Sequence, residues 1–179
     1  MRHFSFFLAD DRATTEFGED LALTVRPGDC LALSGELGAG KSALSRALIR
    51  ALANDDALEV PSPTFTLVQS YDLRIPVSHF DLYRLADESE LNELGLGEAL
   101  EKGVALIEWP DRAGASLPKT AIRIRITHEG SGRRLDLESD VERFSDRLTR
   151  VGEMRAFLDN RGYRNASRRF LIGDSSFRA

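Results

Sequence analysis

Between Asp11 and Val25 the apolar residues Phe17, Leu21 and Val25 recur at helical spacing, with Ala13, Ala22 and Leu23 beside the stripe. This predicts a helix over 11–25, capped by Asp10 or Asp11, after a short strand at 3–9 (HFSFFLA). Pro27-Gly28-Asp29 is turn chemistry. CLALSG (30–35) is almost wholly apolar over a strand's length, as expected of a strand covered on both faces. A helix over 42–54 follows, with Leu44, Leu48 and Leu52 on one face. PSPTF (61–65) reads as a proline-stiffened loop, and TLVQSYDL (66–73) and VSHFDLYRL (77–85) as a hairpin turning at Arg74-Ile75-Pro76.

Beyond the hairpin, ADESELNELGL (86–96) predicts an acidic helix and LGEALEKG (96–103) a shorter one ended by Gly103. VALIEW (104–109) is a second apolar strand, halted by Pro110. In TAIRIRITHE (120–129) Ile122, Ile124 and Ile126 alternate with Arg123, Arg125 and Thr127, so one face of that strand is wet. RRLDLES (133–139) is expected to pair with it across Glu129–Gly132. From Glu142 a helical pattern through Phe144, Leu148, Val151, Phe157 and Leu158 leads to Asn160-Arg161-Gly162.

Composition changes this picture little. The 179 residues, 42% hydrophobic and 30% charged, suit a globular domain, and no run approaches the ~20 apolar residues of a membrane helix. No signal-peptide pattern opens the chain, and a single cysteine, Cys30, cannot form an internal disulfide, so a cytoplasmic protein is expected. The net charge of −5 disfavours a protein that coats nucleic acid. Residues 151–179 reverse the sign, with six arginines against Glu153, Asp159 and Asp174. Only Lys41, Lys102 and Lys119 are lysines, which makes the position of Lys41 informative.

That position is Gly35-Glu36-Leu37-Gly38-Ala39-Gly40-Lys41-Ser42, a full match to G-x-x-x-x-G-K-[ST] between an apolar strand and a helix that continues through Ala43. Consecutive backbone N–H groups can curl around phosphate oxygens there, because glycine permits the dihedral angles required. The helix N-terminus faces the anion. Lys41 is expected on the β- and γ-phosphates and the Ser42 hydroxyl on Mg²⁺. A Gly-rich turn matching by chance is the bland alternative, and the strand and helix around the motif weigh against it.

A P-loop also needs a carboxylate at a nearby strand end. Glu108 closes the run 104–107, as the acid of a Walker-B strand would. Asp81 lies on a strand whose same face carries His79, so His79 is either its hydrogen-bond partner or a packed strand residue. Thr64 and Ser62 occupy the connection in which many P-loop proteins place a γ-phosphate sensor. Trp109 is the only tryptophan and adjoins Glu108. No histidine or cysteine spacing supports a transition-metal site.

Four blocks in this order, GELGAGKS (35–42), PSPTFTLVQSY (61–71), HFDLYRL (79–85) and LIEWPDR (106–112), resemble the TsaE (YjeE) family, bacterial ATPases needed to make threonylcarbamoyladenosine in tRNA. The resemblance covers about residues 3–140. It implies an α/β, three-layer P-loop NTPase fold with a mixed, largely parallel sheet and flanking antiparallel strands. It further implies ATP and Mg²⁺ as ligands, the TsaB–TsaD complex as partner, tRNA only through that complex, and weak hydrolysis alone.

On this resemblance phosphate is bound by Gly38, Gly40, Lys41 and the loop around them (Glu36, Leu37, Ala39, Ala43). Mg²⁺ falls to Ser42, with Glu108 as the Walker-B-like acid. Asp81 is a second metal ligand or a water-positioning group, either carboxylate could position the water, and the switch position falls to Thr64. Trp109 becomes the functional neighbour of Glu108, and Thr14 and Thr15 lie near the adenine. A small-molecule P-loop kinase is the alternative, for which residues 110–119 offer only Arg112 and Lys119 as lid cations. The expected ATPase domain is 1–141, with 142–179 a C-terminal extension. In that extension GDSSFR (173–178) resembles the first strand region of aminoglycoside/choline phosphotransferase-like kinases. This suggests a piece of a longer fusion, the alternatives being a tail or a chain in which the P-loop module regulates an attached kinase.

Overall fold

A computed structural model describes residues 1–88, 90–160 and 170–171. Its elements run β1 (Arg2–Leu8), α1 (Asp11–Thr24), β2 (Cys30–Ser34), α2 (Lys41–Ala53), β3 (Val68–Tyr71), β4 (Val77–Asp81), α3 (Glu90–Glu93), α4 (Leu96–Lys102) and β5 (Val104–Glu108). A 3₁₀ segment (Pro110–Ser116) leads to β6 (Ile122–Glu129), β7 (Gly132–Ser139), α5 (Glu142–Asn160) and β8 (Phe170–Leu171). The acidic helix expected over 86–96 shrinks to the single turn α3, because Gly95 at φ +80° separates it from α4.

All strands of the described residues join one sheet in the order β3-β4-β5-β2-β6-β7-β1-β8. β4, β5, β2 and β6 run parallel at its centre. Antiparallel strands flank them: β3 on one side, β7, β1 and β8 on the other. Burial explains the division. β5 is buried throughout and β2 over its first four residues, which only strands covered on both faces can be. β6 alternates buried Ile122, Ile124 and Ile126 with exposed Arg123 and Arg125, as on a half-wet strand.

One face of the sheet packs against α1 and α2, where Phe17, Leu21, Leu44 and Leu48 meet Leu31, Leu33 and Ile124. The other face packs Ala32, Phe80 and Ile107 under Leu91, Leu96 and Ala113 of the short helices. The result is three layers, α/β/α.

α5 lies on the first face. Phe144 and Leu148 join the core cluster that contains Phe17 and Leu21, and Val151 is buried near them. Arg147 donates to the Thr24 carbonyl and, at 2.6 Å, to the Asp29 carboxylate. Burial pushes the Asp29 carboxyl up from its ordinary value, and the Arg26 backbone N–H and Arg147 partly offset it. Arg155 pairs with the buried Asp20 and with Glu19. The kinase-like resemblance of 173–178 lies outside the described residues.

Candidate functional site

The P-loop leaves the C-terminal end of β2, the central strand, between β5 and β6, where open α/β sheets place their ligand crevices. The loop depends on glycine: Gly35, Gly38 and Gly40 have φ of +144°, +80° and +111°, values that side-chain-bearing residues rarely adopt. Gly40 serves as the N-cap of α2 without any side-chain cap, so the first N–H groups of the helix face the crevice unclaimed by a capping side chain. Leu37 at the loop tip is exposed and Ala39 is buried.

Lys41 is 5% exposed. Its Nζ donates to the carbonyls of Gly35 and Glu36, each at 2.8 Å, and lies 3.8 Å from the centre of the Trp109 ring. Burial lowers its pKa from the usual lysine value, while Glu108 and Asp81 pull it back up. Trp109 holds this place with left-handed backbone (φ +59°), a conformation that costs a bulky residue about 1–3 kcal/mol. Its ring also meets Tyr83, with centroids 5.0 Å apart.

Glu108 and Asp81 stand side by side, as register partners at the ends of β5 and β4. Glu108 is 1% exposed and fully engaged. Its Oε2 accepts from the Ser42 hydroxyl at 2.9 Å, and its Oε1 accepts from Ser45 at 3.4 Å and lies 2.8 Å from His79 Nε2. The His79 Nδ1 is buried without a partner, so the tautomer that satisfies the pair carries its proton on Nε2. Asp81 Oδ2 accepts from Ser62 and Thr64, both at 2.8 Å, and its Oδ1 from the Tyr83 backbone N–H at 3.1 Å. Leu67, at φ +62°, ends the loop by donating to the Pro63 carbonyl and accepting the Asp81 N–H.

The structure therefore brings together Lys41, Ser42, Thr64, Asp81, Glu108 and Trp109 around one cavity of about 1140 Å³. Thr14 and Thr15 border the same cavity from α1, and their hydroxyl protons go to the Asp10 and Asp11 carbonyls one turn back. His79 is not the partner of Asp81. On the parallel ladder it lies diagonally from Glu108, two residues before the Asp81–Glu108 pair, and Glu108 accepts its hydrogen bond. Ser45 had a legible signal, since it follows Ser42 by three residues on the same helix face. The Arg133 side chain, which comes to Gly40 from β7, had none.

Hydroxyl and carboxylate oxygens are the donors that Mg²⁺ prefers, and Ser42, Glu108 and Asp81 supply them. Among the described residues no three His, Cys, Asp or Glu side chains cluster as a self-sufficient metal site. That fits Mg²⁺, which typically binds one or two carboxylates together with a ligand's phosphates.

Strand, glycine loop, helix and adjoining acidic strand end make this an α/β protein of the P-loop class. A family model described as "Threonylcarbamoyl adenosine biosynthesis protein TsaE" matches residues 8–135, and the chain belongs to that family. The tRNA threonylcarbamoyladenosine biosynthesis protein TsaE of Bacillus subtilis is 35% identical over 136 residues, 75% of this chain and 84% of its own length. The Haemophilus influenzae protein of the same description is 31% identical over 144 residues, 76% and 90% of the two chains. A crystal structure of Bacillus subtilis YdiB superposes with a TM-score of 0.72 at 25% identity, covering 87% of this chain and 98% of that one.

Proposed function

We propose that this chain is a Mg²⁺-dependent ATP-binding protein and slow ATPase that supports threonylcarbamoyladenosine formation in tRNA through a TsaB–TsaD complex in the cytoplasm. The observation that carries the reading is the contact of Ser42, first hydroxyl of the P-loop helix, with the Glu108 carboxylate beside a desolvated Lys41. No helix of the described residues is long and apolar enough to cross a membrane.

Each residue has a task in this reading. The N–H groups from Glu36 to Ala43 and the Lys41 ammonium bind the phosphates, Lys41 exchanging its two loop carbonyls for phosphate oxygens. Trp109 keeps the ammonium in place and shields it from water. Glu108 draws the Ser42 hydroxyl proton toward itself, which turns the Ser42 lone pairs toward the crevice. Ser42, Glu108 and Asp81 would hold Mg²⁺, which when bound neutralises charge on the phosphate oxygens. Asp81 and Thr64 form the corner that orients the attacking water. All three donors now on Asp81 come from the chain itself, so water has to share or displace them. Slow turnover without a partner follows, and a partner that moves the Ser62–Thr64 loop would raise it.

The test is hydrolysis measured with and without purified TsaB–TsaD, beside a pull-down in ATP and in ADP. Glu108→Ala should keep ATP binding and lose turnover by about 10²-fold or more, the scale of a lost transition-state contact. An unchanged rate in the presence of the partner would remove Glu108 from the chemistry and leave Asp81 alone. Phosphate transfer to a small acceptor, without stimulation by TsaB–TsaD, would favour a kinase instead.

A further inference from the structure

His79 lies on β4, two residues before Asp81 and on the same face of the sheet. It is 1% exposed, as is Glu108. Its Nε2 donates to Glu108 Oε1 at 2.8 Å, and its Nδ1 is buried without a hydrogen-bond partner. Its register partner on β5 is Leu106, so the bond to Glu108 runs diagonally across the ladder. The polar contact of this ring therefore ends on one acceptor, the carboxylate beside the P-loop.

That carboxylate is held unevenly. A carboxylate offers about four acceptor sites, two on each oxygen. Oε1 takes His79 at 2.8 Å and Ser45 at 3.4 Å, which fills it, whereas Oε2 takes Ser42 at 2.9 Å. The open acceptor site of Glu108 is thus on the oxygen next to the P-loop hydroxyl. Of the two donors on Oε1, His79 is the close one, and Ser45 stands near the limit of a hydrogen bond. Without His79, that side of the carboxylate would hang on Ser45 alone. In so buried a place a bond to a charged acceptor is strong and sets its orientation.

We propose that His79 is a positioning residue for ATP hydrolysis: its Nε2–H fixes the Glu108 carboxylate with Oε2 beside Ser42, and turnover depends on this bond while nucleotide binding does not. This rests on reading Glu108 as part of an ATPase site. His79 touches no nucleotide and transfers no proton. The P-loop N–H groups and Lys41 grip the phosphates, so losing the His79 bond misplaces Glu108 and leaves that grip intact. Such a loss appears in kcat and in kcat/KM equally.

Steady-state ATP hydrolysis by the full chain with purified TsaB–TsaD, beside calorimetric titration with Mg-ADP, tests this. The variants are His79→Gln, His79→Met, His79→Asn and the double variant His79→Met/Glu108→Ala, with Glu108→Ala alone as reference. The Gln amide nitrogen reaches about as far as Nε2, Met has the same length without a donor, and the Asn amide reaches about as far as Nδ1. His79→Met should lower kcat by about 10- to 100-fold, the scale of a lost partner behind a metal-site carboxylate. Its KM and its ADP affinity should stay those of the wild type. His79→Gln should recover most of the rate, and His79→Asn should be as slow as His79→Met. The double variant should be no slower than Glu108→Ala, because His79 acts only through that carboxylate.

A wild-type kcat in His79→Met, with Glu108→Ala slow, overturns the proposal and leaves the ATPase reading standing. Wild-type rates in both overturn both. Equal losses in His79→Gln and His79→Met overturn it as well, since the matched donor then changes nothing and the ring only packs. Weakened ADP binding in His79→Met at an unchanged melting temperature overturns the separation of turnover from binding. Should His79→Met fail to fold, His79→Gln against His79→Asn decides: equal rates mean that the Nε2–H has no task in turnover.

Discussion

Lys41 has no solvent to fall back on. Buried under Trp109 and held by two carbonyls, it is an ammonium whose charge burial disfavours, and phosphate is the partner that best offsets this cost. Lys41→Ala is expected to lower ATP affinity by about 10²-fold, the scale of losing a buried charged contact; calorimetry that finds wild-type affinity would remove the phosphate assignment. Cys30 makes a second case at this scale. It is buried in β2, and burial together with the neighbouring Asp29 pushes its thiol up to about 12. The native thiol should resist a maleimide at pH 8 and react once urea unfolds the chain. The sign for stability follows, because the folded state keeps a proton that the unfolded thiol, with its ordinary value of 9.0, gives up. Stability should therefore fall between about pH 9 and 12, by an increment that a Cys30→Ala variant lacks; equal alkaline slopes would contradict it.

α1 and α2 approach each other closely because of Gly18. A Cβ there would stand 2.9 Å from the Leu48 backbone nitrogen and closer still to the Ala47 methyl. Since α2 starts at the P-loop and α1 carries Thr14 and Thr15, the spacing of these helices also sets the width of the crevice. Gly18→Val is expected to cost about 1–3 kcal/mol, as overpacking does, and to weaken nucleotide binding together with stability. A melting temperature equal to that of the wild type would show that the helices can part without cost. β4 and β5 set the other wall. Their parallel register brings Asp81 beside Glu108 and sets His79 one step behind. A slip of β4 by one residue against β5 would turn Asp81 to the opposite face from Glu108.

At the scale of the whole molecule, α5 decides where the domain ends. A boundary at 141 follows from where the family resemblance fades, whereas Phe144, Leu148 and Val151 are buried against the core of the P-loop domain and Arg155 reaches Asp20 in α1. We propose that α5 folds with that core. Fully burying such side chains is worth about 1.5–3 kcal/mol each, and losing Arg155 would take a guanidinium away from the buried Asp20 carboxylate. A chain of residues 1–141 should therefore melt about 10 °C or more below a chain of residues 1–160. Equal melting temperatures would make α5 an accessory and support the boundary at 141. The family match at residues 8–135 ends before α5, so this helix adds its contacts from outside the matched region.

Much of this was legible in one dimension because it depends on local chemistry. The P-loop announces itself since glycine, lysine and a hydroxyl must follow one another along the chain to wrap a phosphate. The α1 and α2 stripes, the apolar β2 and β5 and the alternating β6 follow from periods set by backbone geometry. Asp81 and Glu108 stood out because each ends a strand. What the sequence left open concerns residues far apart in the chain. His79 had Asp81 on its own face or a packing role open to it, and the β4–β5 register gives it to Glu108 instead. Arg133 reaches Gly40 only because β7 pairs with β6 and β1 and so comes back past the P-loop. The apolar stripe of α5 was visible from Glu142 onward, but a stripe does not name the surface it covers. Side-chain period is a property of the local backbone, whereas partner choice is a property of the closed sheet, and only the folded chain determines it.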